Sequence, residues 1–324
     1  MANLLLTTTC SRQTTCTYCF AKKEMDGGKD DFLTWDNLIY ITDLLEISRQ
    51  PHISLLGGEP TLHPSFIDFV LYLTERNIRV NVFTNGIAAN KKIEEAGRLF
   101  DKLQDNKLSF VCNLNHPSFS SEKELDKIDK FLKTFGHLTT ISFNIYQPEF
   151  SMDYIFEYIN KYNMKRHVRI GLTHNILNAD NIYIKKEEMP KMAETFMNHY
   201  KLFEENNVTA GFDCGMPMCL FNDEQLGKLF KISKGVLKFS CGPAIDIGPD
   251  MNVWSCFPFS NFQKKSIYDF NTMEEINKHF KNMHNQIREQ RAGIFEECKD
   301  CSYLAKNLCS GGCSVHVLNE INAQ

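Results

Sequence analysis

The chain has 324 residues, of which 43% are hydrophobic and 23% are charged, and its formal net charge is -4. A chain of this length can bury one large core or two smaller ones. Its mildly acidic balance gives no general attraction to nucleic acid or to an anionic membrane, and no stretch approaches the roughly 18 uncharged apolar residues of a membrane span. A peptide or a small molecule is therefore the expected substrate, with no nucleic acid and no membrane as a partner.

Strand-like and helix-like segments alternate six times from the start of the chain. The predicted strands cover residues 3–8, 52–56, 79–84, 108–114, 139–146 and 167–173, and the predicted helices begin at or just after Thr34, at 66, 91, near 121, at 152 and at 186. Ser121 and Glu124 have the spacing of a helix capping box. The alternation predicts an α/β fold with a parallel sheet, open or curled into part of a barrel, and with function at the carboxyl ends of the strands.

The alternation stops after about residue 207. Residues 208–212 are a further candidate strand, and a tail rich in cysteine and punctuated by glycine and proline follows. We therefore expect one domain over residues 1–235 and a smaller one over residues 236–324.

Nine of the twelve cysteines fall into three groups, namely Cys10, Cys16 and Cys19, then Cys241 and Cys256, and finally Cys298, Cys301, Cys309 and Cys313. Grouped thiols indicate either disulfides or metal ligands. The first residues lack the basic region and the long apolar core of a signal peptide, so a cytoplasmic location is expected, where thiols stay reduced. The cysteines are accordingly candidate metal ligands.

The first cysteine group and two other motifs follow the first three predicted strands. Cys10, Cys16 and Cys19 follow the first, Gly57-Gly58-Glu59-Pro60 follows the second, and Thr84-Asn85-Gly86 follows the third. All three motifs should meet on one face of the sheet. Three thiolates leave one position open on a four-iron cubane or on a tetrahedral zinc, as in catalytic sites, whereas a closed structural zinc site is the alternative.

These motifs resemble the radical S-adenosylmethionine (radical SAM) superfamily. The resemblance rests on the three thiols, on an aromatic residue, Tyr18, just before the last of them, and on the Gly-Gly-Glu-Pro turn. It implies a partial (β/α)6 TIM-type barrel and a 4Fe-4S cluster whose fourth iron is chelated by SAM. One electron from that cluster would cleave SAM to methionine and a 5'-deoxyadenosyl radical.

The resemblance also implies roles for individual residues. Gly57 and Gly58 would let the backbone approach a ligand closely, and Glu59 would accept a hydrogen bond from the SAM ammonium group. Tyr18 would pack on adenine. Polar contacts to ribose and carboxylate are expected from residues at strand ends, namely Thr84, Asn85, Asn113 and Asn144. Each asparagine is also a candidate for a purely structural hydrogen bond.

The spacing of the first cysteine group departs from the family pattern. Five residues separate Cys10 from Cys16, where the family usually has three. The position that a three-residue spacing requires is Arg12, which cannot ligate a metal. Cys10 is then the third ligand, on a wider loop.

The tail resembles the SPASM extension of radical SAM enzymes, which carries two auxiliary 4Fe-4S clusters. By this resemblance Cys241, Cys256 and Cys313 share one cluster and Cys298, Cys301 and Cys309 share the other, each one cysteine short. Cys214 or Cys219 would complete the first, and the second would be completed by His316, Asp300 or the remaining cysteine, or would keep an open iron. A single cluster, as in the shorter twitch-type extension, and a pair of zinc knuckles are the alternatives.

Cys214 and Cys219 carry a second hypothesis. A thiol near the barrel mouth that ligates no metal could donate a hydrogen atom to a substrate radical, as peptide epimerisation requires. Cluster ligation is the favoured role.

The resemblance points to an enzyme that modifies a ribosomally made peptide by thioether or carbon–carbon cross-linking, by epimerisation or by side-chain oxidation. A one-electron donor such as flavodoxin or ferredoxin is implied. Because the first strand begins almost at the start of the chain, we expect either that leader recognition needs a separate leader-binding protein or that the substrate is small. The competing hypotheses are a twitch-type dehydrogenase or rearrangement enzyme acting on a small metabolite, and a non-catalytic zinc-binding module.

Overall fold

The computed structural model describes residues 2–12, 15–22, 31–213 and 215–322. Its strands form one ten-stranded sheet in the order β10-β9-β8-β1-β2-β3-β4-β5-β6-β7. The strands are β1 (Ala2–Leu5), β2 (His52–Leu56), β3 (Arg79–Thr84), β4 (Leu108–Asn113), β5 (Thr139–Ile145), β6 (His167–Leu172), β7 (Thr209–Asp213), β8 (Ile245–Ile247), β9 (Asn252–Ser255) and β10 (Lys265–Ser266). Strands β1 to β7 are parallel neighbours in chain order, which confirms the predicted parallel sheet.

Helices connect the parallel strands as predicted. The helices of the described residues are α1 (Trp35–Ile47), α2 (Phe66–Glu75), α3 (Asn90–Phe100), α4 (Glu122–Phe135), α5 (Asp153–Lys161), α6 (Met189–Asn198), α7 (Tyr200–Glu205), α8 (Asp223–Ile232), α9 (Met273–Gln290), α10 (Ser302–Ala305) and α11 (Ser314–Asn322). The capping box at Ser121 and Glu124 starts α4. The single helix expected over residues 186–206 is instead two helices that meet at His199.

The tail strands continue the barrel sheet. Strand β8 pairs in parallel with β1 on the side opposite β2, and β9 returns antiparallel to β8. The turn between them places Met251, which is buried, at φ 64°. That left-handed conformation favours glycine. The C-terminal segment therefore joins the barrel by backbone pairing, while the domain boundary near residue 235 stays a prediction.

The two faces of the parallel sheet have different chemistry. The outer face packs on the helices, as where Phe110 of β4 contacts Phe131 and Phe135 of α4. The inner face carries polar pairs across neighbouring strands, including Asn144 and Asn113 at 3.3 Å. No helix in the described part of the chain has both the length and the apolar character needed to cross a membrane.

Candidate metal centre and ligand cavity

The Gly57-Gly58-Glu59-Pro60 turn lies directly against the segment that follows β1. The amide of Gly58 donates to the carbonyl of Thr7 and the amide of Glu59 to the carbonyl of Thr9, both over 2.8 Å. A Cβ atom on Gly58 would lie 2.1 Å from the Thr9 carbonyl oxygen. Only glycine permits this approach. The sequence predicted that this turn approaches a ligand closely. In the structure the turn closely approaches the backbone of Thr7 and Thr9, just before Cys10.

Gly57 is under the same constraint from the other side of the turn. Its φ is 143°, and a Cβ atom there would lie 2.3 Å from the Thr7 carbonyl oxygen. The glycine pair therefore sets the position of the cysteine loop relative to β2.

Glu59 joins the ends of β2 and β3 from a fully buried position. Its Oε1 accepts hydrogen bonds from the Thr61 amide, the Thr61 hydroxyl and the Thr84 hydroxyl, and its Oε2 accepts one from the Asn85 amide. Burial raises the pKa of this carboxyl, and the four hydrogen bonds oppose that rise. Both carboxylate oxygens are thus bonded within the chain, and the contact of Glu59 to the SAM ammonium group stays a prediction.

The three N-terminal cysteines gather beside this turn. The Cys19 thiol donates a hydrogen bond to the sulfur of Cys16, which lowers the pKa of Cys16 and raises that of Cys19. Burial raises the pKa of Cys10 to about 11, and Cys10 lies within electrostatic range of both other thiols. The side-chain amide of Asn85 donates to the sulfur of Cys10 over 3.9 Å.

This donor set fits an iron–sulfur cluster. It consists of three thiols and one amide hydrogen-bond donor, with each thiol partly exposed. In the described residues, no three His, Cys, Asp or Glu side chains are grouped so as to hold a single metal ion. A cluster is wider than one ion and is held by thiolates. Cys10, Cys16 and Cys19 are therefore the residues that would hold it.

A cavity of about 240 Å³ opens beside the cysteine loop, at the carboxyl ends of β4 and β5. Tyr18 lines it and stacks on Tyr146 with 4.5 Å between ring centroids. The Tyr18 hydroxyl donates to Oδ1 of Asn115, and burial raises the pKa of this phenol. Tyr154 and Phe150 complete an aromatic wall. The cavity has the shape and chemistry to take a flat heteroaromatic ring.

The remaining strand-end residues divide into two sets. Thr84 is buried and its hydroxyl donates to Glu59, and its contact to a ligand stays a prediction. Asn85 faces the cysteine loop, where its side-chain amide also donates to the hydroxyl of Ser11 over 3.1 Å. Asn113 and Asn144 contact each other, and Asn144 lines the cavity. Asn85 and Asn144 therefore keep the positions expected of ligand contacts.

Four cysteines come together in the tail. The pKa of Cys219 is raised to about 11 by desolvation and then by the nearby thiols of Cys309, Cys298 and Cys301. Cys219 is exposed, whereas Cys298 and Cys309 are buried. The sequence predicted that three of these residues share a site and left the fourth ligand open. Cys219 lies within electrostatic range of these three thiols, and its role as the fourth ligand stays a prediction.

Cys241 and Cys313 lie near the first group. The amide of Cys241 donates to the hydroxyl of Ser310 over 2.8 Å, which places Cys241 beside the segment between Cys309 and Cys313. A Cβ atom on Gly215 would lie 2.9 Å from the amide nitrogen of Cys313. Cys256 follows β9, and its amide donates to the carbonyl of Ala244 over 2.9 Å. Cys214 lies outside the described residues, one position before Gly215.

Arg288 of α9 lies within electrostatic range of four tail cysteines. Its guanidinium donates to the carbonyls of Ala292, Gly311 and Gly312. Burial lowers its pKa, and four cysteines raise it in the order Cys241, Cys313, Cys298, Cys309. A partly buried cation near thiols offsets the negative charge that the thiolates of bound clusters would carry.

His316 contacts a histidine rather than a cysteine group. Its Nε2 lies 3.1 Å from Nδ1 of His174, which follows β6. Desolvation and then His174 lower the pKa of His316 to about 3. The pair joins helix α11 to the barrel, and His316 is thus placed as a structural contact.

Sequence reasoning missed three residues of this region. The sequence places Tyr146 in a strand and predicts no role for it at the site. For Arg12 it indicates only that the side chain cannot bind a metal, and for Arg288 it indicates no role. Tyr146 ends a predicted strand, so its place at the carboxyl edge of the sheet was a usable signal. Arg288 lies in a strongly charged helix, where no pattern distinguishes one arginine from its neighbours.

A model of the radical SAM superfamily matches residues 4–137. A search of curated proteins finds no similar sequence.

Solved structures extend the likeness over the whole chain. Streptococcus suis SuiB bound to S-adenosylmethionine superposes with a TM-score of 0.65 at 14% identity, covering 98% of this chain and 74% of SuiB. SuiB bound to the precursor peptide SuiA gives a TM-score of 0.64 at 14% identity, covering 98% of this chain and 72% of SuiB. At this identity the likeness establishes the fold. The family match covers the three N-terminal cysteines and the Gly57-Gly58 turn, so residues 4–137 of this chain form a radical SAM domain.

Proposed function

We propose that this protein abstracts hydrogen from a peptide substrate, using SAM and a 4Fe-4S cluster held by Cys10, Cys16 and Cys19. The bound cluster would supply the electron that cleaves SAM. The chain's own residues then have definite tasks: the Gly57-Gly58 turn sets the cysteine loop, Asn85 donates to the sulfur of Cys10, and Tyr18 and Tyr146 form the wall for adenine.

The observation that carries the proposal is the convergence of the three thiols with Asn85 at the carboxyl ends of β1, β2 and β3. A peptide substrate is supported by the structural likeness to SuiB, one of whose structures contains the precursor peptide SuiA. Thioether formation, carbon–carbon cross-linking, epimerisation and side-chain oxidation all begin with the same hydrogen abstraction.

We further propose two auxiliary clusters in the tail. Cys219, Cys298, Cys301 and Cys309 would hold one, because the last three are the thiols that affect the pKa of Cys219. Cys241, Cys256, Cys313 and Cys214 would hold the other, because Gly215 lies against Cys313. With this division both four-thiol sets are complete, and Cys219 serves as a ligand rather than as a hydrogen donor.

The test is iron and sulfide content after anaerobic reconstitution, combined with dithionite-driven cleavage of SAM to methionine and 5'-deoxyadenosine. We expect about twelve irons per chain, as three 4Fe-4S clusters require. Cys16→Ala should abolish SAM cleavage, whereas Cys112→Ala, which changes a core cysteine, should retain it. SAM cleavage that survives Cys16→Ala would refute the assignment.

Cys219→Ser separates the two tail hypotheses. If Cys219 is a ligand, the variant should lose about four irons and keep SAM cleavage. If it is a hydrogen donor, the variant should keep its full iron content and lose only the final reduction of the substrate radical. About eight irons in the unmodified protein would favour a single auxiliary cluster and a small-metabolite substrate.

Peptide modification is read out by mass spectrometry on short synthetic peptides incubated in deuterated water. Cross-linking or oxidation removes two hydrogen atoms, whereas epimerisation leaves the bonding pattern unchanged and introduces solvent deuterium. Stoichiometric SAM cleavage with a small metabolite, and none with any peptide, would overturn the peptide assignment.

A further inference from the structure

Arg12, in the widened interval between Cys10 and Cys16, is buried to an extent that is unusual for arginine. Its side chain is 6% exposed. Burying a guanidinium is costly unless it is paired and hydrogen-bonded. The position therefore needs partners that repay the loss of water.

The backbone of Arg12 holds both ends of the cysteine loop. Its carbonyl accepts hydrogen bonds from the amides of Thr15 and Cys16, over 3.1 and 3.0 Å. Its own amide donates to the sulfur of Cys10 over 3.4 Å. The turn at Arg12 thus brings Cys16 back towards Cys10, which is what a wider loop requires if both thiols are to reach one cluster.

The side chain of Arg12 reaches the connection between β4 and α4. Its Nη2 donates to the hydroxyl of Ser120 over 2.6 Å, and its Nε lies 3.5 Å from Oε1 of Glu124. Glu124 is itself held by the capping box, since its Oε2 accepts from the amide and the hydroxyl of Ser121. The same connection supplies His116 and Phe119 to the wall of the Tyr18 cavity.

Arg12 also brings a positive charge to the cysteine loop. It lies two residues after Cys10, and its side chain is buried. A cluster bound by three thiolates is negatively charged, and a nearby buried cation favours the addition of an electron.

We propose that Arg12 is a positioning residue that closes the widened cysteine loop, anchors it to the start of α4 and sets the reduction potential of the bound cluster. This inference rests on the proposed function. It adds to that function a reason why the wider spacing between Cys10 and Cys16 is tolerated: Arg12 connects the cysteine loop to the wall of the ligand cavity.

The first test uses the apo protein and does not depend on any cluster. Arg12→Gln and Glu124→Gln each remove one charge of the pair, and Glu124→Gln keeps an oxygen for the capping box. Each variant should lower the melting temperature, and the double variant should lower it by less than the sum of the two. Strict additivity would overturn the anchoring role. Arg98→Gln, at an exposed position on α3, is the matched control and should have no effect.

The second test measures the reduction potential of the cluster held by Cys10, Cys16 and Cys19. The reconstituted protein is titrated potentiometrically, and this cluster is monitored through the component of the EPR spectrum that changes when SAM is added. Arg12→Gln should shift that potential to more negative values and slow SAM cleavage by a fixed reductant. Arg12→Lys keeps the charge and should restore the potential while leaving the melting temperature low. An unchanged potential in Arg12→Gln would overturn the electrostatic role.

Arg12→Gln keeps the backbone hydrogen bonds of the turn and loses the side-chain anchor to α4, so it should bind the cluster only in part, and the potential is measured on the part that is bound. Iron content equal to that of the unmodified protein would overturn the anchoring of the loop. Failure of the proposed function is distinguishable, because the unmodified protein would then bind no iron and cleave no SAM.

Discussion

The carboxylate of Glu59 accepts a hydrogen bond of 2.8 Å from the backbone amide of Asn85, which ties the end of β2 to the end of β3. Asn85 in turn donates to the sulfur of Cys10, the first cysteine of the loop after β1. The ends of three adjacent strands are thereby held in one arrangement by a single buried carboxylate. The position of the cysteine loop therefore depends on these contacts between strand ends.

Glu59→Gln should destabilise the apo protein by about 1–3 kcal/mol. The side-chain NH2 of the glutamine would replace one carboxylate oxygen, and it cannot accept the hydrogen bond that this oxygen accepts. Chemical denaturation of the apo protein measures this change. Glu95→Gln, at an exposed position on α3, is the control and should have no measurable effect. Equal stability of the two variants would show that the Glu59 hydrogen bonds are not needed for the strand-end arrangement.

Gly58→Ala should prevent the cysteine loop from reaching its position, since the added methyl group would lie 2.1 Å from the Thr9 carbonyl oxygen and 2.9 Å from the Cys10 amide nitrogen. We expect loss of the N-terminal cluster, measured as about four irons per chain, together with loss of SAM cleavage. The control is Gly227→Ala on helix α8, where a Cβ atom meets no atom within 4 Å. That variant should be stabilised by up to about 1 kcal/mol.

Tyr18→Phe should keep the stacking on Tyr146 and lose the hydrogen bond to Asn115. We expect a loss of about 0.5–1.5 kcal/mol in stability and little change in SAM affinity. Tyr18→Ala should weaken SAM binding far more, because the aromatic wall is removed. Isothermal titration calorimetry of the reconstituted variants distinguishes the two, and equal affinities would mean that adenine lies elsewhere.

Arg288→Gln should remove the hydrogen bonds to the carbonyls of Gly311 and Gly312. It should also remove the positive charge that offsets the repulsion between the tail thiolates. Each lost hydrogen bond to the guanidinium is worth about 1.5–3 kcal/mol. We expect loss of tail iron with retention of SAM cleavage. Lys278→Gln, an exposed position on the same helix, is the control. Full iron content in Arg288→Gln would rule out this role.

Acid should destabilise the protein through His316. Its pKa in the folded chain is about 3, below the ordinary value of 6.5, so the unfolded chain binds a proton that the folded chain does not. Stability is therefore full above about pH 6.5 and falls as the pH drops towards about 3. Melting temperatures of the apo protein between about pH 7 and pH 5 measure this fall.

His316→Gln should flatten that dependence. A residual slope is expected from His284, whose pKa burial lowers to about 4. If His316→Gln follows the same curve as the unmodified protein, the contact between His316 and His174 does not control acid stability.

The strand–helix alternation and the three cysteine groups were readable in the sequence, because both are local patterns. Period and spacing predicted the parallel sheet, and the order of the motifs predicted that Cys10, Gly58 and Asn85 meet at one edge. The sequence did not distinguish Glu59 as a clamp from Glu59 as a ligand contact. That distinction depends on burial and on which donors surround its oxygens.

The amino-acid sequence by itself determined the fold class and the kind of chemistry, because hydrophobic period and thiol spacing act within a few residues along the chain. Only the tertiary structure decided the partners of Cys219, Arg12 and Arg288. Cys219 meets Cys298, Cys301 and Cys309 across roughly eighty or more positions of chain, and Arg12 meets Ser120 across more than one hundred. Such contacts are set by how the sheet and its connections pack, and no local pattern encodes them.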